Sequence, residues 1–303
     1  MKSFKQVSVF MLASGSCPTT NVLENQLKHH SLPPLTGLTP CVQGFIPACQ
    51  YSEDSVVTVS NTWRIRLKQE ERVLPSYIVN NLLQEQLDLI EARELRKVSA
   101  KQKRSIRQKI IEEMLPQAFI RPSFIESIYV PDYNFLFVNQ VLESKYGLFL
   151  ATLRKAVGSL EAEFVQTQTS PITLMTQWLQ TGEAAGQLEL DDFCELRKTE
   201  DPASSIKLYK QDLSSPNIRQ LGDKNYSVHQ LALVWRKKIR FILGADLGLK
   251  GLQWLDLAEE TEVGPENGWA LFQANQLLLS TTLSELYEEL IRHLGGLCTK
   301  SEI

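Results

Sequence analysis

At Pro75-Ser76 the apolar period of this chain changes from two residues to about 3.6, and that switch outlines the fold. Upstream, Trp63, Ile65 and Leu67 alternate with Arg64 and Arg66 in the β-branched stretch Val56–Leu67, the pattern of a half-buried strand. Downstream, Val79, Leu82, Leu83, Leu87 and Ile90 fall at helical spacing and predict an amphipathic helix from Tyr77 to about Arg96. Ser99 followed by Gln102 is a capping-box pattern, so a second helix starts there. Ile106, Ile110 and Met114 are its apolar stripe, and Pro116 stops it. Two helices with so short a connection are antiparallel neighbours, which predicts a protruding helical hairpin.

Strands are expected on both sides of that hairpin. Val7–Leu12 reads as a first strand, because Ser8 interrupts the apolar core a signal peptide would need. A lipid-modified Cys17 is disfavoured by Ser14 three residues before it. The Pro- and Gly-punctuated stretch Ser31–Ala48 points to loop and short strand. Phe124–Val130 and Phe135–Val138 flank a Pro131–Asn134 turn as a β-hairpin, Gln140–Val157 is a helix closed by Gly158, and Leu174–Gln180 is a short helix. After the acidic stretch Glu183–Asp201 come a strand pair, His229–Leu243 and Leu249–Leu255, and a last helix from about Ser280 to Leu294. The class is α+β with mostly antiparallel sheets. Residues 1–75 and 124–165 are expected to form a central region, 76–123 the basic hairpin tip, and 166–303 a C-terminal α+β region.

Charge is distributed unevenly. Eight of the seventeen residues Arg93–Lys109 are Lys or Arg and only Glu94 opposes them, a local +7. The chain totals −3, so the other residues sum to −10 (−3 minus +7). Arg93, Arg96 and Lys97 sit where a helix C-terminus favours cations. Lys101, Lys103 and Arg104 sit in the first turn of the next helix, where the dipole disfavours each by ~0.3–1 kcal/mol. Arg107 follows one turn on. A solvated hairpin tip and a polyanion-binding surface both account for such a run, and both readings stay open.

Known chemical signatures are missing. The segment Gly244–Gly251 has the wrong spacing for a phosphate loop, and no dinucleotide fingerprint, HExxH or GxSxG occurs. The histidines His29, His30, His229 and His293 pair with no carboxylate at a telling spacing. Five scattered cysteines without CxxC argue against a disulfide framework or a zinc site, and fit a reducing cytoplasm. No cofactor, no metal and no enzymatic activity are expected, and no apolar stretch approaches the ~20 residues of a membrane span.

Two further segments carry candidates. In Leu115–Pro122, Phe119 is either a core anchor for the hairpin base or an apolar platform for bases. In Val234–Ile242, read as one strand, Arg236, Lys238 and Arg240 share a cationic face, with Trp235, Ile239, Phe241 and Leu243 on the other and Lys237 among them.

The blocks Glu70–Ser76, Leu115–Arg121, Lys210–Leu213 and Leu231–Trp235, with the long hairpin between the first two, together resemble the RdgC family of bacterial recombination-associated proteins. Their order and spacing agree from Met1 to about Gly296. The resemblance implies a non-enzymatic, nucleoid-associated protein that binds duplex and single-stranded DNA without sequence preference. It also implies a ring-shaped homodimer with a basic lumen, which limits the access of the RecA recombinase to DNA. By motif match, Phe119, Arg121, Lys210 and Gln211 inherit DNA-contact roles. The chain departs from the family pattern at Gln117, where the family has Arg, and at Tyr209, where it has Lys; each change removes a cation. Phe272–Gln276 also matches poorly. A rival from another class is a protein–protein regulator that docks an acidic partner through the basic hairpin without binding DNA.

Overall fold

The computed structural model describes residues 4–13, 15–201, 203–222, 225–255 and 268–298. In chain order the elements are β1 (Ser8–Leu12), α1 (Thr20–His29), β2 (Cys41–Ile46), β3 (Val56–Val59), β4 (Thr62–Val73), α2 (Ser76–Glu94), α3 (Ala100–Met114), β5 (Phe119–Val130) and β6 (Phe135–Val138). There follow α4 (Glu143–Val157), β7 (Ala162–Phe164), α5 (Pro171–Thr181), β8 (Leu188–Lys198), β9 (Ser205–Tyr209), α6 (Pro216–Arg219), β10 (Tyr226–Trp235), β11 (Ile239–Gly244), β12 (Leu249–Trp254) and α7 (Gly268–His293).

The strands form two antiparallel sheets. One has seven strands in the order β2-β4-β5-β6-β1-β7, with β3 also on β4; the other is β12-β11-β10-β8-β9. They meet where Val7 and Leu249 exchange backbone hydrogen bonds, both 2.8 Å. One apolar core runs across that junction, from Val9, Ile128 and Phe137 to Leu231, Trp235 and Phe241, and α7 closes it with Leu283, Leu286 and Leu290. Tyr287 sits at the centre of the closure, donating to the Leu247 carbonyl at 2.8 Å with its ring 5.5 Å from that of Phe137. The opposite face of the seven-stranded sheet is covered by α1 and α4 through Leu23, Leu27, Phe149 and Leu153. No helix of the described residues is long and apolar enough to cross a membrane.

Several boundaries differ from expectation, each for a physical reason. Val56–Leu67 is two strands, because Ser60 takes a left-handed conformation (φ 53°) and turns the chain. Arg64 does not face solvent. It is 6% exposed, paired with Glu126, and its guanidinium lies 5.1 Å from the ring of Phe272 on α7. The strand expected from Phe124 begins at Phe119 and runs through Pro122, which sits opposite Glu70. β6 pairs only with Ser127–Val130, so Pro122 lies on an edge stretch where a missing N–H is tolerated. Val234–Ile242 is a tight hairpin, not one strand: Arg236 and Lys237 both have positive φ (50° and 55°) and join β10 to β11. The acidic stretch contains β8, while α1, β7 and β9 had no strong periodic signal. The helix Gln140–Val157 starts at Glu143, and the last helix starts at Gly268, twelve residues before Ser280. Asp256, Glu259, Glu260, Glu262 and Glu266, acidic residues that precede this helix in the sequence, lie outside the described residues.

Candidate nucleic-acid interface

The helical hairpin has its own small core. Val79, Leu83 and Leu87 of α2 and Ile110 of α3 are buried together, with Leu74, Val98 and Met114 packed around them. The capping box predicted at Ser99 is present: Gln102 N–H donates to Ser99 Oγ at 3.3 Å and Ser99 N–H donates to Gln102 Oε1 at 3.2 Å. The turn between the helices is made by Leu95 in the left-handed conformation (φ 51°), 91% exposed at the apex.

Around that core Arg93, Arg96, Lys97, Lys101, Lys103, Arg104, Arg107 and Lys109 are all exposed. Arg96 pairs with Glu94 at 2.6 Å, and Arg107 donates to Asn80 Oδ1 at 3.2 Å. The other six have no ion pair among the described residues, and α3 has no acidic residue in its first turn. Lys101, Lys103 and Arg104 stand at the positive end of the α3 dipole among like charges, an arrangement that a polyanion laid along the hairpin would offset.

At the hairpin's foot, Phe119 is 87% exposed and Ile120 50%. Burial as a core anchor is therefore excluded for Phe119, and its ring is free to contact a ligand. Arg121 stands opposite Glu71 across the β4–β5 ladder and pairs with it at 2.8 Å. Arg72, which the spacing arguments passed over, donates from Nη1 to the carbonyls of Leu115 (2.7 Å) and Pro116 (2.9 Å). Its only signal was its place in the block Glu70–Ser76.

The remaining candidates lie on the five-stranded sheet, in a different electrostatic setting. Lys210 (φ 52°) and Gln211 are exposed in the loop after β9, beside a cleft of ≈ 810 Å³ lined by Glu183, Glu189, Asp191, Asp192 and Asp212. Tyr209 packs on Phe193 with ring centroids 5.1 Å apart. Arg236 pairs with Glu285 and Arg240 with both Asp191 and Asp192, so neither guanidinium is free. Lys238 is exposed without an ion pair among the described residues, and the cationic strand face expected here does not form.

Burial pushes the Cys17 thiol up to about 12, and burial with the neighbouring Glu195 does the same for Cys194, so both stay protonated at neutral pH. All five cysteines are free, and no cluster of three or more His, Cys, Asp or Glu that could hold a metal ion occurs among the described residues.

A family model described as "RdgC: Putative exonuclease, RdgC" matches residues 3–297. The Recombination-associated protein RdgC of Neisseria meningitidis serogroup B is 37% identical over 294 residues, covering 97% of this chain and 98% of the relative. Proteins of the same name from Laribacter hongkongensis and Pseudomonas aeruginosa are 33% and 31% identical, each over 97% of this chain.

Proposed function

The chain belongs to the RdgC family, and from that premise we propose that it binds DNA through the phosphate backbone, without sequence preference and without cleaving it. The observation that carries this reading is the hairpin: eight exposed cations, six of them unpaired among the described residues, on a chain whose remainder is anionic. Backbone phosphates are evenly spaced negative charges, so contacts to them supply affinity and no sequence information. Phe119, exposed at the foot of the same hairpin, offers a stacking face to an unpaired base.

The finer reading rests on the family resemblance. The chain assembles as a ring-shaped homodimer around duplex DNA, acts at the nucleoid in the cytoplasm, and restrains recombination by limiting RecA access. Arg121, Lys210 and Gln211 join the hairpin cations along the lumen, while Arg236, Lys238 and Arg240 play a smaller part because two of the three are held by carboxylates.

Encirclement and cleavage are tested together on a nicked circular plasmid and its linear form. The proposal expects a complex that survives a high-salt wash on the circle, is lost from the linear form by sliding off its ends, and leaves both intact with Mg²⁺. Equal loss from both forms rejects the ring, and progressive shortening of the linear DNA would establish the exonuclease named in the family description. Capture of an acidic protein with no retention of either DNA would favour the protein–protein regulator.

A further inference from the structure

We infer that the crevice where the hairpin meets the β4–β5 ribbon is a phosphate cradle built by Arg72, Arg107 and Arg121, with Glu71 as its internal counter-charge. The ligand class, a phosphodiester of the nucleic-acid backbone, rests on the DNA-binding reading above; the crevice and the parts of Arg72 and Glu71 in it are new to it. The crevice has a volume of ≈ 350 Å³. That is about ten times a water molecule's ~30 Å³ share of the liquid, room for one phosphate group with bridging waters.

Three elements converge there. Arg107 comes from α3, Arg121 from β5, and Glu71 and Arg72 from β4, over a floor that includes Val79 and Ile111. Three guanidiniums against one carboxylate leave a net +2 (3 − 1) in a concave, partly apolar setting. Each guanidinium has five N–H donors, and Arg107 and Arg121 each leave most of theirs unspent. Arg107 uses Nη1 on Asn80, and Arg121 uses Nη2 on Glu71. Arg72 uses Nη1 on two carbonyls and Nη2 on the Leu35 carbonyl at 3.4 Å, while its Nε is buried with no hydrogen-bond partner. Planar forks of this kind match the oxygens of a phosphate. Ser76, the first residue of α2, also lines the crevice; that helix has no side-chain cap and no acid in its first turn, so its positive end is uncompensated. In the free chain Glu71 occupies Arg121, and an entering phosphate displaces it.

The test is thermal melting of the full chain with inorganic tripolyphosphate, run beside retention of a short duplex. Tripolyphosphate should raise the melting temperature, Arg107→Gln should lose most of the rise, and Glu71→Gln should enlarge it. Lys155→Gln, an exposed cation on α4, should keep the rise in full. No rise in the unaltered chain, an undiminished rise in Arg107→Gln, or an equal loss in Lys155→Gln would each overturn the cradle. Duplex retention reads the other proposal separately: a tripolyphosphate effect with no duplex retained leaves the cradle standing and rejects DNA binding. Where duplex is held, Arg107→Gln lowers the salt slope by about one.

Discussion

The Arg72 guanidinium donates to the carbonyl of Leu115 at 2.7 Å and so caps the C-terminal end of α3 from a neighbouring strand. The last turn of α3 contains no basic residue of its own, and the terminal carbonyls of a helix lack intrahelical partners. Strand β4 supplies a cation that donates to the carbonyl of the C-cap Leu115 and of Pro116 just beyond it, and opposes the negative end of the dipole. One side chain thus ties the end of the basic hairpin to the sheet.

Removing that anchor should loosen the hairpin. Hydrogen bonds to a charged donor contribute ~1.5–3 kcal/mol, so Arg72→Ala should lower unfolding stability by about that amount. Arg72→Lys keeps the charge but not the planar fork and should recover only part of it. Urea denaturation checks this; an unchanged midpoint for Arg72→Ala would mean the contact holds nothing.

Replacing Lys101, Lys103, Arg104 and Arg107 by Glu moves the chain from −3 to −11 (−3 − 8) and the segment Arg93–Lys109 from +7 to −1 (7 − 8). DNA retention should disappear. Stability should hold or rise, because acids in the first turn of α3 gain ~0.3–1 kcal/mol each where the cations lost it. A duplex shift combined with a thermal melt separates the outcomes, and undiminished retention would place binding elsewhere.

Phe119→Ala removes a ring already 87% exposed, so folding stability should change by no more than ~0.5 kcal/mol. Affinity for single-stranded DNA should fall by about 1–3 kcal/mol if the ring stacks on a base. Fluorescence anisotropy with a labelled oligonucleotide measures it, and equal affinities would remove Phe119 from the interface.

Acid sensitivity should trace in part to Glu289. Burial pushes this carboxyl up, but it accepts from the Gln187 backbone N–H and the Trp235 indole N–H, both at 2.8 Å, and has His293 and Arg236 nearby. These outweigh burial and hold it below the ordinary value of 4.5. A folded-state value depressed in this way stabilises the fold above the unfolded value, and the contribution is lost as pH falls through the folded one. Glu289→Gln should therefore be less stable near neutrality and show a shallower decline below about pH 4.5. Glu195, also lowered, keeps the decline from vanishing. Parallel acid limbs in stability-versus-pH curves would contradict this assignment.

The hairpin was the most legible part of the sequence because its information is local. A helical apolar stripe and the Ser99–Gln102 capping box need no distant partner to be recognised. The misread positions depend on contacts far along the chain. Arg64 looks like a solvent-facing residue of an alternating strand until Phe272, on the last helix, covers it. Arg236, Lys238 and Arg240 look like a cationic stripe until the positive φ of Arg236 and Lys237 breaks the strand and Asp191, Asp192 and Glu285 arrive from β8 and α7. Arg72 carried no periodic or compositional signal, since its role is defined by a carbonyl more than forty residues away. Phe119 was ambiguous for a simpler reason: an aromatic residue beside prolines reads equally well as buried anchor or exposed platform.

The central claim is that this chain holds DNA by its phosphates through the hairpin cations. The most direct test is the observed association constant for a random-sequence duplex as a function of salt. With ~6–8 phosphates neutralised, log K should fall against log salt with a slope near −0.9 per phosphate, and scrambling the sequence should leave the line in place. A flat salt response, or a line that moves with sequence, would contradict it.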